Sequence, residues 1–131
     1  MPLILIVDDN PQMRATMRRI LVSSGYSVIE AGDGREGLEL FRSHAPDVVV
    51  TDIVMPEKEG IETIIEMSRA ASRTKIIAVS GSLAAGGPDF LTMAGRFGAD
   101  LVLQKPFRAA ELQKAVKTLL APAKTEFAGT R

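Results

Sequence analysis

Short apolar runs recur along the chain, and segments with helical periodicity separate them. Three runs are rich in Ile and Val, a pattern typical of parallel strands buried on both faces; they are Leu3–Val7, Val48–Thr51 and Ile76–Val79. Two others, Ser27–Ala31 and Leu101–Leu103, are more polar or shorter. The pattern predicts five strands, and the polar residues in Ser27–Ala31 indicate a strand at the edge of the sheet.

Five amphipathic helices are predicted between and after these strands, because apolar residues recur there at helical spacing. The first begins at Asn10 and Pro11, a capping residue followed by a first-turn proline, and ends near Gly25. Apolar stripes mark the other four at 38–41, 61–68, 90–97 and 112–120. Each stripe is interpreted as the face that packs on the core.

Alternation of strands and helices predicts an α/β domain with a parallel sheet. Right-handed crossovers place helices on both faces, which gives a doubly wound architecture. At 131 residues the chain is the length of one domain. We assign residues 1–121 to it, and 122–131 to a frayed tail or the start of a linker.

Composition and charge exclude several classes of protein. Sixteen basic residues balance 16 acidic residues, which argues against direct binding of nucleic acid or of an anionic membrane. The absence of cysteine excludes a disulfide scaffold, a Cys-ligated metal site and a thiol nucleophile. No apolar run has the length of a membrane span, and Asp8 interrupts the first one too early for a signal peptide. We therefore expect a cytoplasmic protein.

Polar side chains follow four of the predicted strands. Asp8 and Asp9 follow the first strand, Asp52 the third, Ser80 the fourth and Lys105 the fifth. Ligand sites of doubly wound sheets lie beyond the carboxyl ends of the strands, so these side chains should converge there. Three gathered carboxylates repel one another and need a cation. Oxygen-only ligands indicate a hard metal, most simply Mg²⁺.

Lys105 and Ser80 extend the predicted site toward a phosphoryl group. A lysine offers a mobile positive charge, and a serine hydroxyl can donate to a phosphate oxygen. Phosphoryl transfer depends mainly on positioning and charge neutralisation. A carboxylate can itself be the nucleophile and become an aspartyl phosphate. Asp52 is the best candidate, because it ends a central buried strand.

Five segments in this order resemble the receiver domain of bacterial two-component response regulators, particularly chemotaxis regulators. The matching segments, which span nearly the whole chain, are Ile6–Asn10, Asp52–Gly60, Val79–Gly81, Gly98–Asp100 and Lys105–Phe107. The resemblance implies a flavodoxin-like fold with a five-stranded sheet in the order 2-1-3-4-5. It also implies a cis peptide bond between Lys105 and Pro106, an isomer that is essentially confined to X–Pro bonds.

The resemblance also implies a role for each site residue. Asp52 would accept a phosphoryl group from a phosphohistidine of a sensor histidine kinase or phosphotransfer protein. Asp9 would ligate Mg²⁺ directly and Asp8 largely through water, with Asp52 and the backbone carbonyl of Val54 as further ligands. The phosphoryl oxygens would be bound by Ser80 and Lys105.

Such a domain is a signalling switch that assists its own phosphorylation and dephosphorylation, and is not a metabolic enzyme. Its output partner is unassigned, and a homodimer is a further hypothesis.

Two features depart from the family pattern. Val102 occupies a position that is often aromatic in the family, and the loop Gly81–Pro88 is about three residues longer than usual, within the ordinary range of loops. We keep two readings of this loop, a segment that carries the response and a tolerated insertion.

Two alternative functions remain open. One is a degenerate receiver that acts only as a protein-interaction module. The other is a dinucleotide-binding domain, because Gly32-Asp33-Gly34-Arg35-Glu36-Gly37 matches the spacing of a nucleotide-binding loop. Against it, Asp33 and Glu36 would place negative charge beside a pyrophosphate. An Asp-Gly turn leading into a helix is the simpler interpretation.

Overall fold

The computed structural model describes residues 1–52, 59–70, 74–80 and 98–121. Within these ranges the strands are β1 (Leu3–Val7), β2 (Ser27–Ala31), β3 (Val48–Asp52), β4 (Lys75–Ser80) and β5 (Leu101–Gln104). The helices are α1 (Pro11–Ser23), α2 (Gly34–His44), α3 (Glu59–Ala70) and α4 (Ala109–Leu120). The helix predicted at 90–97 and the tail at 122–131 lie outside the described residues.

All five strands form one parallel sheet in the order β2-β1-β3-β4-β5. This order confirms the topology that the family resemblance implied. β2 lies at one edge, as its polar residues predicted, and its side chains are mostly half-buried. β1 and β3 are neighbours in the centre, in register from Ile4 opposite Val48 to Val7 opposite Thr51. Residues that follow β1 therefore lie beside those that end β3.

Helices cover both faces of the sheet and enclose two apolar layers. Alternate residues of a strand point to opposite faces, so the central strands are buried on both sides. One layer contains Leu5 and Val49 with Phe41 of α2 and Met67 of α3. The other layer includes the following residues of β1, β3, α1 and α4: Ile6, Val50, Met17, Leu21, Leu112 and Val116. None of the described helices is long and apolar enough to cross a bilayer.

Local signals set the starts of the first two helices. Asn10 caps α1 by accepting hydrogen bonds from the amides of Gln12 and Met13, which satisfies free donors at the helix start. Asp33 caps α2 in the same way through the amide of Glu36. α3 begins at Glu59, two residues before the apolar stripe at 61–68 that predicted it.

Helix α2 approaches β1 closely at Gly37. A Cβ atom added to Gly37 would lie 2.9 Å from Val7 Cγ2 and 3.2 Å from Val7 Cγ1. Both separations are shorter than ordinary van der Waals contact between carbon atoms. The absence of a side chain at Gly37 thus lets α2 pack directly on the last residue of β1, next to the acidic residues that follow.

Candidate functional site

Three carboxylates meet at the carboxyl edge of the sheet, as the sequence predicted. Ligand atoms of Asp8, Asp9 and Asp52 all lie within 4.8 Å of one another. Asp8 is fully buried, Asp52 is 5% exposed and Asp9 is exposed. The cluster thus has a buried base formed by two carboxylates and one carboxylate that faces solvent.

Asp8 is fixed through both its backbone and its side chain. Its amide donates to the carbonyl of Ala31 at 3.1 Å, and its carbonyl accepts from Arg14 Nη1 at 2.7 Å. One carboxylate oxygen accepts from the amide of Asn10 at 2.8 Å, and the other lies 3.3 Å from Lys105 Nζ. These contacts hold a buried charged residue in a single orientation, as burial of a charge requires.

Lys105 joins the two buried carboxylates. Its Nζ lies 3.3 Å from Asp8 Oδ2 and 3.2 Å from Asp52 Oδ2, and its side chain is 19% exposed. Burial alone would lower the pKa of Lys105, but the charges and hydrogen bonds of Asp52 and Asp8 outweigh burial and raise the pKa above 10.5. The ammonium group is therefore fully charged at neutral pH. The Lys105–Pro106 bond is cis, as the resemblance implied.

Ser80 ends β4 at the same edge. Its carbonyl accepts a hydrogen bond from the amide of Lys105 at 2.7 Å, which ties the two predicted phosphoryl-binding residues together. The residue is fully buried, and its Oγ atom has no hydrogen-bond partner among the described residues. Because an unpaired buried hydroxyl is costly, this oxygen is suited to a ligand that enters the cleft.

The donor set fits Mg²⁺. Three carboxylates supply hard oxygen ligands at a spacing that one ion can bridge, and His and Cys are absent from the cluster. The lysine beside them carries one positive charge against their three negative charges, so a divalent cation would neutralise the rest. The predicted ligand carbonyl of Val54 lies outside the described residues.

The glycine-rich segment after β2 is a capped helix start. The Asp33 carboxylate accepts from the amide of Glu36 at 2.8 Å, and the Glu36 carboxylate accepts from the amide of Gly32 at 2.9 Å. A pyrophosphate would need such amides as donors. Because the chain's own carboxylates occupy them, the geometry favours the turn that we judged simpler over a dinucleotide site.

Sequence reasoning missed the residues that surround the acidic turn. Arg18 is exposed and its guanidinium lies 3.1 Å from Glu30 Oε2, while the half-buried Arg14 places Nε 3.3 Å from Glu30 Oε1. The two arginines are four residues apart and so share one face of α1. That spacing, together with an acidic residue in a neighbouring edge strand, was the signal that could have found them.

The two departures from the family pattern have different outcomes. Val102 lies on β5 opposite Ala78 and is half-buried. A β-branched side chain at this position has few χ1 states and provides no ring that could swing inward. The long loop Gly81–Pro88 lies outside the described residues, so its role stays a prediction.

Comparisons with known proteins agree with this geometry. A family model described as the response regulator receiver domain matches residues 4–117. Chemotaxis protein CheY of Bacillus subtilis is 36% identical over 118 residues, which cover 89% of this chain and 96% of CheY. Response regulator MprA of Mycolicibacterium vanbaalenii is 38% identical over 121 residues, which cover 89% of this chain. The chain matches only 49% of the length of that MprA.

Solved structures show the same fold. A response regulator receiver domain protein from Clostridium thermocellum superposes with a TM-score of 0.84 at 28% identity, covering 92% of this chain and 94% of the other. The chemotaxis response regulator CheY4 of Vibrio cholerae gives a TM-score of 0.80 at 30% identity, covering 92% and 99%. These matches extend over nearly the whole length of both structures.

Proposed function

The chain belongs to the family of response regulator receiver domains, and we propose that it is a cytoplasmic phosphoacceptor switch whose acceptor is Asp52. The observation that carries this proposal is the placement of the nearly buried Asp52 carboxylate beside two further carboxylates and within 3.2 Å of a lysine ammonium. A carboxylate that served only to pair with a lysine would not need two acidic neighbours, because they repel it.

The proposed donor is a phosphohistidine of a sensor histidine kinase or phosphotransfer protein. An oxygen of Asp52 attacks the phosphorus, the new O–P bond forms, and the N–P bond breaks with its electron pair left on the imidazole. Lys105 Nζ then turns from the carboxylate to a phosphoryl oxygen, and Ser80 Oγ donates to another. Hydrolysis resets the switch: a water oxygen forms a new bond to phosphorus, the bond between phosphorus and the Asp52 oxygen breaks with its electron pair left on Asp52, and the protons of the water leave with inorganic phosphate.

Asp8, Asp9 and Asp52 would hold Mg²⁺ at this site. When bound, the ion offsets the charge of the phosphoryl oxygens. The protein contributes the alignment, because the buried Asp8 and Asp52 are fixed by hydrogen bonds and ion pairs before any donor arrives. Catalysis by positioning requires such a preformed arrangement.

Phosphorylation replaces the −1 charge of the Asp52 carboxylate with a phosphoryl charge of about −1.5 to −2, beside the buried Asp8 and Ser80. The new charge draws Ser80 and Lys105 toward the phosphoryl oxygens. Because Ser80 is the last residue of β4 and Lys105 directly follows β5, the carboxyl ends of these two strands change with them. We propose that an output partner reads this difference. Val102 provides no ring that could swing inward, so the response would not depend on an aromatic side chain at this position.

The proposal is tested by incubating the chain with phosphoramidate, whose P–N bond resembles that of phosphohistidine. Intact-mass measurement should show one added phosphoryl group with Mg²⁺ present and none with a chelator. Reduction with borohydride converts an acyl phosphate to an alcohol, so peptide mapping should place the modification at Asp52.

Two variants make the test specific. Asp52→Asn removes the nucleophile with little change in shape and should take up no phosphoryl group. Asp47→Asn removes one carboxylate from the opposite edge of the sheet and should react like the wild type. An adduct that persists in Asp52→Asn would overturn the assignment. A wild-type chain without any adduct would favour the degenerate receiver that acts only through protein contacts.

A further inference from the structure

We propose that Arg14 is a positioning residue for the Mg²⁺ ligands Asp8 and Asp9, an inference that rests on the proposed function. Arg14 is half-buried, and its Nη1 donates to the Asp8 carbonyl at 2.7 Å. This hydrogen bond joins α1 to the turn that carries both predicted ligands. Arg14 itself ligates nothing and would act only through that turn.

The Asp8 carbonyl matters because it belongs to the peptide unit that joins Asp8 to Asp9. The unit is planar, so the direction of this carbonyl fixes where the Asp9 Cα leaves the turn. β1 ends at Val7, and the carbonyl of Asp8 lies beyond the strand ladder. Asp8 is fully buried, so its carbonyl needs a hydrogen-bond donor from the protein. Arg14 provides the donor that the strand ladder no longer supplies.

Glu30 holds Arg14 in place and reduces its effect on the cluster. Its carboxylate lies 3.3 Å from Arg14 Nε and 3.1 Å from Arg18 Nη1. An unpaired guanidinium near the three carboxylates would repel a bound cation. The Glu30 charge offsets that repulsion, so the hydrogen bond to the Asp8 carbonyl determines the net effect of Arg14.

The matched pair of variants is Arg14→Met and Arg18→Met. Each removes one arginine from the same face of α1 and one ion pair to the same Glu30, and methionine keeps an unbranched apolar stem. Of these two arginines, it is Arg14 that donates to the Asp8 carbonyl. Calorimetric titration with Mg²⁺ should give a dissociation constant about tenfold higher for Arg14→Met, the low end of the range for lost outer-shell partners. Arg18→Met should bind Mg²⁺ like the wild type. Arg14→Lys should recover part of the affinity that Arg14→Met loses, because its ammonium group can still donate a hydrogen bond.

A second readout needs no metal. The Asn10 amide donates to Asp8 Oδ1, so its hydrogen exchange reports the order of the turn. In the chelated protein this amide should exchange faster in Arg14→Met than in Arg18→Met, while the core amides of β1 and β3 stay protected in both. A purely global loss of stability would increase exchange in all of them together.

Each result decides the inference. Weaker Mg²⁺ binding and faster Asn10 exchange in Arg14→Met alone would support it. Unchanged or tighter binding in Arg14→Met, with a wild type that binds Mg²⁺, would overturn the role of Arg14 and leave the proposed function intact. A wild type that binds no Mg²⁺ would overturn both. If Arg14→Met does not fold, Arg14→Gln, whose side chain is too short to reach the carbonyl, takes its place with the same expectations.

Discussion

Replacing Asp9 by Asn should stabilise the metal-free protein, although it removes a residue of the proposed site. The carboxylate oxygens of the cluster lie within 4.8 Å of one another. At that separation two unit charges repel by about 3.5 kcal/mol at an effective dielectric constant of about 20, and by about 0.9 kcal/mol at about 80. Asp9 is exposed and Lys105 offsets one of its neighbours. We therefore expect the free energy of unfolding to rise by only about 1 kcal/mol.

Urea unfolding followed by circular dichroism, first with a chelator and then with increasing Mg²⁺, measures this effect. The wild type should gain about 2.7 kcal/mol when Mg²⁺ reaches about 100 times its dissociation constant, because a ligand that binds only the folded state stabilises it. Asp9→Asn should gain much less, since it lacks a direct ligand. The order of stability should thus reverse between the two conditions, which a general effect on folding would not produce.

Asp47→Asn is the control for this experiment. Asp47 precedes β3 and accepts from the amide of Leu3 at 2.8 Å, a hydrogen bond that an asparagine oxygen can keep. Asp47→Asn should shift neither the unfolding curve measured with chelator nor the one measured with Mg²⁺ by a comparable amount. The reasoning fails if metal-free Asp9→Asn is less stable than the wild type. It also fails if Mg²⁺ stabilises both proteins equally, because Asp9 would then not be a ligand.

Two further predictions concern the lysine and the close approach of α2. Lys105→Met leaves the nearly buried Asp8 and Asp52 without their cation and should cost about 3 kcal/mol at neutral pH, measured by urea unfolding with a chelator. Since Asp52 and Asp8 raise the pKa of Lys105 despite its burial, this contribution is complete below pH 10.5 and is lost as pH rises through the higher folded-state pKa. A wild-type advantage that disappears on acidification from neutral pH to pH 6 would contradict this sign. Gly37→Ala places a Cβ 2.9 Å from Val7 Cγ2 and should lower the free energy of unfolding by about 1–3 kcal/mol; unchanged stability would mean that α2 moves freely.

The positions of the site residues were predictable because they follow from topology and not from side-chain detail. Once apolar runs identify parallel strands, every residue after a strand belongs to the same edge of the sheet. Asp8 and Asp52 were found by this rule alone, and the register of β1 with β3 places them side by side. The polar content of β2 identified the edge strand for the same reason, since a strand buried on both faces leaves no room for Glu30.

The contacts within the site were less predictable, because a sequence carries no record of which backbone groups lack partners. The end of β1 at Val7 was predicted, but the sequence does not show which donor meets the Asp8 carbonyl beyond that end. Nothing in the residue Arg14 distinguishes it from the exposed Arg18 one turn later. The double pairing of Lys105 depends on the directions of two side chains, which strand order alone does not define.

Charge at the acidic edge leads to a last prediction, that Mg²⁺ and a phosphoryl group bind cooperatively. Three carboxylates and Lys105 carry −3 and +1, a net charge of −2, which a divalent cation would bring to zero. A phosphoryl group carries about −1.5 to −2 but removes the −1 of the carboxylate that it esterifies, so the modified site is still more negative than before and again favours a cation. Because coupling between two ligands is reciprocal, the chain should bind Mg²⁺ more tightly when beryllium trifluoride, a phosphoryl mimic, is present. Calorimetric titration of the wild type and Asp52→Asn measures this, and equal gains in both proteins would refute coupling through the acceptor.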